Sequence, residues 1–326
     1  MAEQNFMIHV EVPQERLNEI SNRYINGVLV RKEPVNREEL EKLSCSELML
    51  LRHNTRWFAE NLLTNPVQEQ VDALLEEFLE CVELKITGED IYVIFTSLTH
   101  LPYLLQHQYM MIYSNQDKAK EVAEYFQANC KREGVTFEVK TMTPDNCDFW
   151  ALASVCGMDE FILDGAKEPL KVSDFYMLPD KYGKTNPEFS KAATVIAQIS
   201  GFYGEKEVFD ANIATIETLL PTIKPLLPAM FDKDTSGQNK VKGFRIPILK
   251  REDGSMWQPV FTDQFAVNEY FKNDSQSTIA SETIQSIYEN FLKGKEAIKG
   301  IIINPGTNQL AFETKMIEQL IAKKKQ

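Results

Sequence analysis

Met256-Trp257-Gln258-Pro259-Val260-Phe261-Thr262-Asp263 reads as a strand that runs straight into a capped helix. Its apolar and aromatic residues suit a half-buried strand. Thr262 or Asp263 offers the side-chain oxygen that a helix N-cap needs, and the helix is expected to reach Phe271. About forty residues on, Gly300-Ile301-Ile302-Ile303 reads as a buried strand. Asn304-Pro305-Gly306 then turns the chain, because proline fixes φ and glycine permits positive φ. Residues 310–312 return as a short strand, and the last residues form a helix. Upstream, residues 244–249 and 256–261 flank Asp253-Gly254, a hairpin signal. Pro247 and Pro259 cannot donate to a ladder, so each strand should have an edge, a bulge or an end there. Another helix is expected from Ser281 and Glu282 to Leu292.

The first half of the chain echoes this plan. Residues 82–87 and 91–96 are short apolar runs divided by Gly88-Glu89-Asp90 and predict an opening hairpin. Residues 98–108 read as a loop, and 109–113 as a third strand. Ser114 is placed to cap a helix over 117–129. Residues 136–142 alternate as a strand, Asp145 or Asn146 can cap a short helix to Cys156, and Gly157 can close it in the left-handed conformation. Residues 161–163 form a buried strand. Met111 to Gln116 aligns with Pro259 to Gln264 position for position. Residues 161–172 lie on 301–312 without a gap, so that Asp164 meets Asn304, Leu170 meets Leu310 and Val172 meets Phe312. The shared content is strand, cap, helix, helix, strand, turn, and it favours a diverged duplication.

Around these modules the chain is helical. Residues 1 to about 85 carry two helical patterns. Val71, Leu74, Leu75, Phe78 and Leu79 recur at helical spacing, with Glu76, Glu77 and Glu80 on the solvated face. Asn186-Pro187 begins a helix toward Gly201. A second helix starts near Asp210, and Pro221, Pro225 and Pro228 break the helical pattern beyond it. The fold class is therefore α+β, with α/β character. Two related small mixed-sheet modules with packed helices come after a helical N-terminal region. Residues 1–180 hold that region and a module at about 85–175; residues 181–326 hold the second module with its helical entry.

Charge and composition narrow the function. The net charge is -13 over 326 residues. Residues 1–180 carry 31 acidic against 16 basic side chains, and the remainder 17 against 19. An acidic surface repels phosphate backbones, which argues against nucleic acid as a partner. No run of eighteen apolar residues exists, so no membrane partner is expected. The opening residues lack a signal-peptide pattern, and none of the five cysteines forms a CxxC pair. The expectation is a cytoplasmic protein with reduced thiols.

Pro259, Val260, Phe261 and Thr262, succeeded after a helical region by Asn304 and Pro305, resemble the N-terminal domain of the SseB (enhanced serine sensitivity protein B) family. Asp263 stands where that family's pattern has serine. The resemblance covers residues from about 190 or 240 to 326. It implies a small α/β domain of bacterial cytoplasmic proteins, and it brings no catalytic residues with it.

No complete catalytic set emerges from the residues themselves. Asp232 to Gly237 opens like a calcium loop, but Gly243 stands where the bidentate glutamate belongs. His100 and His107 have no zinc spacing. Cys147 sits near a helix start, whose dipole lowers a thiol pKa, but Asp145 and Asp148 oppose that. Cys156 reads as core. Gly201-Phe202-Tyr203-Gly204 is too short to cradle phosphate. Asp263 and Glu269 read as cap and solvent face. No metal or cofactor is expected. Pro259, Phe261, Thr262, Asp263, Asn304, Pro305 and Gly306 are the motif and recognition candidates, since ligands and partners bind at strand ends in α/β sheets. The reading is a non-enzymatic binding or regulatory protein with a protein partner or self-association, through Trp257, Phe265 or Tyr270 if these are exposed. The alternatives are an enzyme using Cys147 and His100, and a small-molecule sensor with a pocket between the modules.

Overall fold

The computed structural model describes residues 11–62, 68–130, 132–143, 152–153, 155–175, 186–199, 206–233, 241–271 and 277–324. It is an α+β fold in which a helical N-terminal region leads into mixed sheets with packed helices. α1 (Gln14–Ile20) runs on through residue 30 with wider turns, and α2 (Arg37–Leu40) comes next. α3 (Cys45–Asn61) starts at a capping box. The Ser44 hydroxyl accepts from the Glu47 N–H while Glu47 accepts from the Ser44 N–H, which satisfies two otherwise orphaned donors. α3 packs against α4 (Gln68–Gly88). The strand expected at 82–87 is instead the last turns of α4. Val82 and Ile86 continue the buried stripe of Val71, Leu74, Phe78 and Cys81, while Leu84 faces solvent. Helical period overrides the β-branched composition here.

The first module has β1 (Ile91–Thr96), β2 (Leu101–Pro102), β3 (Leu104–Leu105), β4 (Tyr109–Tyr113), α5 (Gln116–Asn129), β5 (Phe137–Met142), β6 (Glu160–Leu163) and β7 (Leu170–Lys171). β5, β1, β4, β6 and β7 lie side by side, with β2 on the end of β1 and β3 on β4. The expected loop at 98–108 thus contributes two short strands. α5 is capped by Asn115, not Ser114: the Asn115 Oδ1 accepts from the Asp117 and Lys118 N–H groups.

The second module begins with α6 (Pro187–Ile199) and α7 (Lys206–Leu219), the latter starting before the expected Asp210. β8 (Leu226–Lys233), β9 (Val241–Arg245), β10 (Leu249–Lys250) and β11 (Met256–Val260) come next. The chain continues through α8 (Gln264–Phe271), β12 (Ser277–Ser281), α9 (Ile284–Ile287) with a wider turn to Leu292, β13 (Ile298–Ile303), β14 (Leu310–Glu313) and α10 (Thr314–Lys324). Ser281 belongs to β12, and Thr283 is the cap of α9. The prolines fit as edges and ends. β9 reaches β8 only from Met230 onward, leaving Pro228 paired on one side. β10 reaches β11 only up to Trp257, so Pro259 is laddered to Ile302 alone.

The two modules share their strand pairings, although the β1–β4 ladder is reduced to a single bridge in the second module, whose strands form separate four- and three-stranded sheets. Thr96 faces Phe137 as Met230 faces Ser277, and Thr96 faces Leu101 as Met230 faces Arg245. Tyr92 faces Tyr113 as Leu226 bridges to Phe261. Leu105 faces Tyr109 as Leu249 faces Trp257. The parallel pair matches too, with Ile112 beside Leu163 and Val260 beside Ile303. The last hairpin differs. Phe161 faces Leu170, but its counterpart Ile301 faces Phe312. The gap-free alignment of Leu170 with Leu310 and of Val172 with Phe312 is therefore corrected: the second hairpin is two residues longer.

The modules meet along α6, which is buried on nearly every side. Phe189, Ala192 and Ile196 join the second core, while Val195 and Ile199 join the first together with Phe265. Gln198 pins the first module's β2–β3 segment: its Oε1 accepts from the Leu104 N–H at 3.0 Å and its Nε2 donates to the Pro102 carbonyl at 2.8 Å. Gly157 has φ +68, and a Cβ there would lie 2.1 Å from the Pro187 carbonyl oxygen at the start of α6. Among the described residues, no helix is long and apolar enough to cross a membrane.

Candidate functional site

The strand-end residues selected from the sequence come together, and most of them are buried. The parallel strands β11 and β13 end side by side, and Asn304 succeeds β13 at φ 47, a left-handed conformation that asparagine tolerates. Its N–H donates to the Val260 carbonyl, and its Oδ1 accepts from the Thr262 N–H at 2.9 Å. Its Nδ2 donates to the Thr262 Oγ1 and to the Asn308 Oδ1, each at 2.9 Å. Asn308 in turn donates to Thr194 Oγ1 on α6 at 2.9 Å. Asp263 caps α8 by accepting from the Ala266 N–H at 2.9 Å, and it also takes the Thr262 hydroxyl at 2.7 Å. Thr262, Asp263, Asn304 and Asn308 are all buried, as are Pro259, Phe261 and Pro305; Gly306 alone is exposed. The network satisfies itself, so it ties strands to helices and leaves little for a substrate.

The first module builds the same network with its charge moved. Asp164 succeeds β6 at φ 51, and its N–H donates to the Ile112 carbonyl. Its Oδ1 accepts from the Ser114 N–H at 2.8 Å. Its Oδ2 accepts from the Ser114 hydroxyl at 2.6 Å and from Ser46 Oγ on α3 at 2.8 Å. The first module thus pairs a carboxamide cap, Asn115, with a carboxylate at the strand end, Asp164. The second pairs a carboxylate cap, Asp263, with a carboxamide, Asn304. Burial pushes both carboxyls above their ordinary range, against the lowering effect of their hydrogen bonds.

A cavity of about 750 Å³ opens beside Asp164. Its walls include Leu17 of α1, Ser46, Met49 and Leu50 of α3, and Leu163 and Ala166 at the strand end. At its rim the His53 Nδ1 lies 3.2 Å from a Glu168 oxygen, and Glu168 also pairs with Arg56. Ser46 and His53 are seven residues apart on one helix, a rise of about 10 Å, too far for a proton relay between them. A smaller hollow of about 290 Å³ lies between the modules at the ends of β11 and β13. His100, Phe265, Glu269, Tyr270, Pro305 and Gly306 line it.

Trp257 and Phe265 are buried and Tyr270 is half-buried, so the first two offer no exposed patch. Trp257 donates its Nε1–H to Ser255 and lies under Arg251 and Lys299. Cys156 is core. Cys147, its neighbours Asp145, Asn146 and Asp148, the segment 201–204 and most of the calcium-like loop lie outside the described residues. Among the described residues, no cluster of three or more His, Cys, Asp or Glu side chains could hold a metal. Ser46, Asn308, Gln198 and Glu168 do not stand out in the sequence. Asn308 falls within the two-residue insertion that a gap-free alignment hides. For Ser46 the one local signal is the Ser44–Glu47 capping box that starts its helix. Comparison with family models, with curated proteins and with solved structures gave no match.

Proposed function

We propose that the chain is a non-enzymatic binding protein, SseB-like and of the bacterial cytoplasm, that takes a small ligand in the cavity of its first module. One observation carries the reading. The polar groups at the strand ends are tied into a structural network in both modules, yet beside the first network, with Asp164 in its lining, a cavity of about 750 Å³ stands open. That volume falls in the range of small-molecule sites, and its wall sets apolar side chains, Leu17, Met49, Leu50 and Leu163, beside polar and charged ones, among them Asn54, Asp164, Lys167 and Glu168. The thiol beside Asp164 does not support an enzyme: burial and the Asp164 charge push Cys45 up to about 12, so it stays protonated at neutral pH. The exposed side chains of Trp57 and Leu62, at the end of α3, support a protein partner or self-association as the output of binding.

The test is a thermal-shift screen of small molecules on the whole chain and on a Leu50→Trp variant that fills the cavity. Ligands are expected to raise the Tm of the wild type and not of the variant. A library without effect on either protein sinks the reading. The sensor site between the modules is the second reading, favoured because Pro305 and Gly306 line the smaller hollow. Ligands that stabilise both proteins equally point there.

A further inference from the structure

The geometry points to a ligand with a primary ammonium group beside an apolar body, bound in the first module's cavity with its ammonium on Asp164. This rests on the proposed function and names the chemistry of its ligand.

The second module shows what the first one lacks. There the longer hairpin carries Asn308 into the space between the strand end and α6. Its Oδ1 accepts from Asn304, and its Nδ2 donates to Thr194 Oγ1 at 2.9 Å and to the Ser190 carbonyl at 3.4 Å. The protein's own side chain fills the position. In the first module the hairpin is two residues shorter, and the helix that corresponds to α6 is α3. α3 reaches the strand-end carboxylate through the Ser46 hydroxyl, and a cavity of about 750 Å³ remains, with Asp164 in its lining.

The charge at that position selects the ligand. Asp164 is 3% exposed, and its three donors, the Ser114 N–H and the hydroxyls of Ser114 and Ser46, are all neutral. A carboxylate has about four acceptor positions, so one remains. Among the described residues, no basic side chain pairs with it. Burying a carboxylate without a counter-charge is costly, and an ammonium supplies both the charge and the missing donor. Glu168, another acid of the lining, is already held by His53 and Arg56, and Glu11 and Lys167, which also line the cavity, carry opposite charges. Leu17, Met49 and Leu50 offer the apolar wall for the rest of the molecule. An anionic ligand of the same shape meets Asp164 with like charge.

The experiment is an NMR-detected titration of the whole chain at neutral pH with phenethylamine, 2-phenylethanol and 3-phenylpropionate. The amine is expected to bind at least tenfold more tightly than the alcohol, and the acid not to bind. Asp164→Asn gives the first module the residue that the second carries at the same position. In that variant the amine is expected to lose its advantage over the alcohol. Equal binding of amine and alcohol by the wild type, tighter binding of the acid, or no binding of the amine overturns the proposal. This charge series on the wild type decides even if the variant fails to fold. A ligand found in the thermal-shift screen and lost in Leu50→Trp, but without an amine preference, overturns the ammonium assignment and leaves the ligand-binding reading standing.

Discussion

The backbone N–H of Thr262 donates to the side-chain oxygen of Asn304, 42 residues away, at 2.9 Å. The bond closes the gap between two parallel strands at the point where one turns into a helix and the other into a hairpin. Ser114 and Asp164 make the same bond at 2.8 Å. Two modules with slight sequence identity keep this contact, its strand-end φ and the parallel ladder beside it.

Asn304→Ala removes the acceptor for the Thr262 N–H and the donor for Asn308, both buried. A stranded buried polar group costs about 1–3 kcal/mol, and alanine at φ 47 adds strain. The expected loss is about 3 kcal/mol or more in urea unfolding. A variant within about 1 kcal/mol of the wild type refutes the structural role given to the motif.

Asp164 should make stability depend on pH in a direction opposite to most acids. Its folded-state pKa is raised, with burial the largest cause. The folded protein therefore holds this proton more tightly than the unfolded chain. Its contribution is fully present below the ordinary aspartate pKa and is lost as pH rises through the raised one. Urea midpoints of the wild type and Asp164→Asn, measured from acid to neutral pH, should diverge as pH rises, the wild type falling relative to the variant. Parallel curves would show that the carboxylate is compensated.

Much of this organisation is legible in the sequence, and the failures have physical causes. Met256 to Asp263 and Gly300 to Gly306 read correctly as strand, cap, strand and turn, because β-branched runs, an N-cap acid and a Pro-Gly turn are local signals. The same local pattern matches Asp164 to Asn304. The final helical turns of α4 read as a strand because Val82 and Ile86 satisfy both a strand's composition and a helix's stripe. β8 and β12 escape a sequence reading because Pro228 and the polar residues at 277–281 hide strands whose pairing is set across the module. The cavity is illegible: it arises from a two-residue difference between hairpins, which shows only once both ladders are in register.

Gly157 tests the seam between the modules. It has φ +68, and a Cβ would lie 2.1 Å from the Pro187 carbonyl and 2.5 Å from the Lys191 nitrogen, both backbone atoms of α6. Gly254, at φ +80 in the β10–β11 turn, has nothing within 4 Å of the same position. Gly254→Ala should cost only the conformational term, about 1–2 kcal/mol. Gly157→Ala should cost clearly more, because α6 must move, and hydrogen exchange should speed up along α6. Equal losses for the two variants would mean that α6 has room to shift.

The thiols offer a direct check on whether the first module harbours nucleophilic chemistry. Burial pushes Cys45, Cys81 and Cys156 above the ordinary thiol range, with Asp164 adding to the effect at Cys45 and Asp263 at Cys156. For Cys45, at about 12, the ionised fraction at pH 7 is about 10⁻⁵, and the thiolate is the reactive form. Dithiobis(nitrobenzoate) labelling followed by mass mapping should leave these three cysteines untouched in the native protein and modify them on unfolding. Cys130, which is only half-buried, should react under native conditions. Rapid native labelling of Cys45 would place an activated thiol beside Asp164. Protection of Cys45 with labelling of Cys130 would leave the cavity beside Asp164 as a place for binding rather than for thiol chemistry.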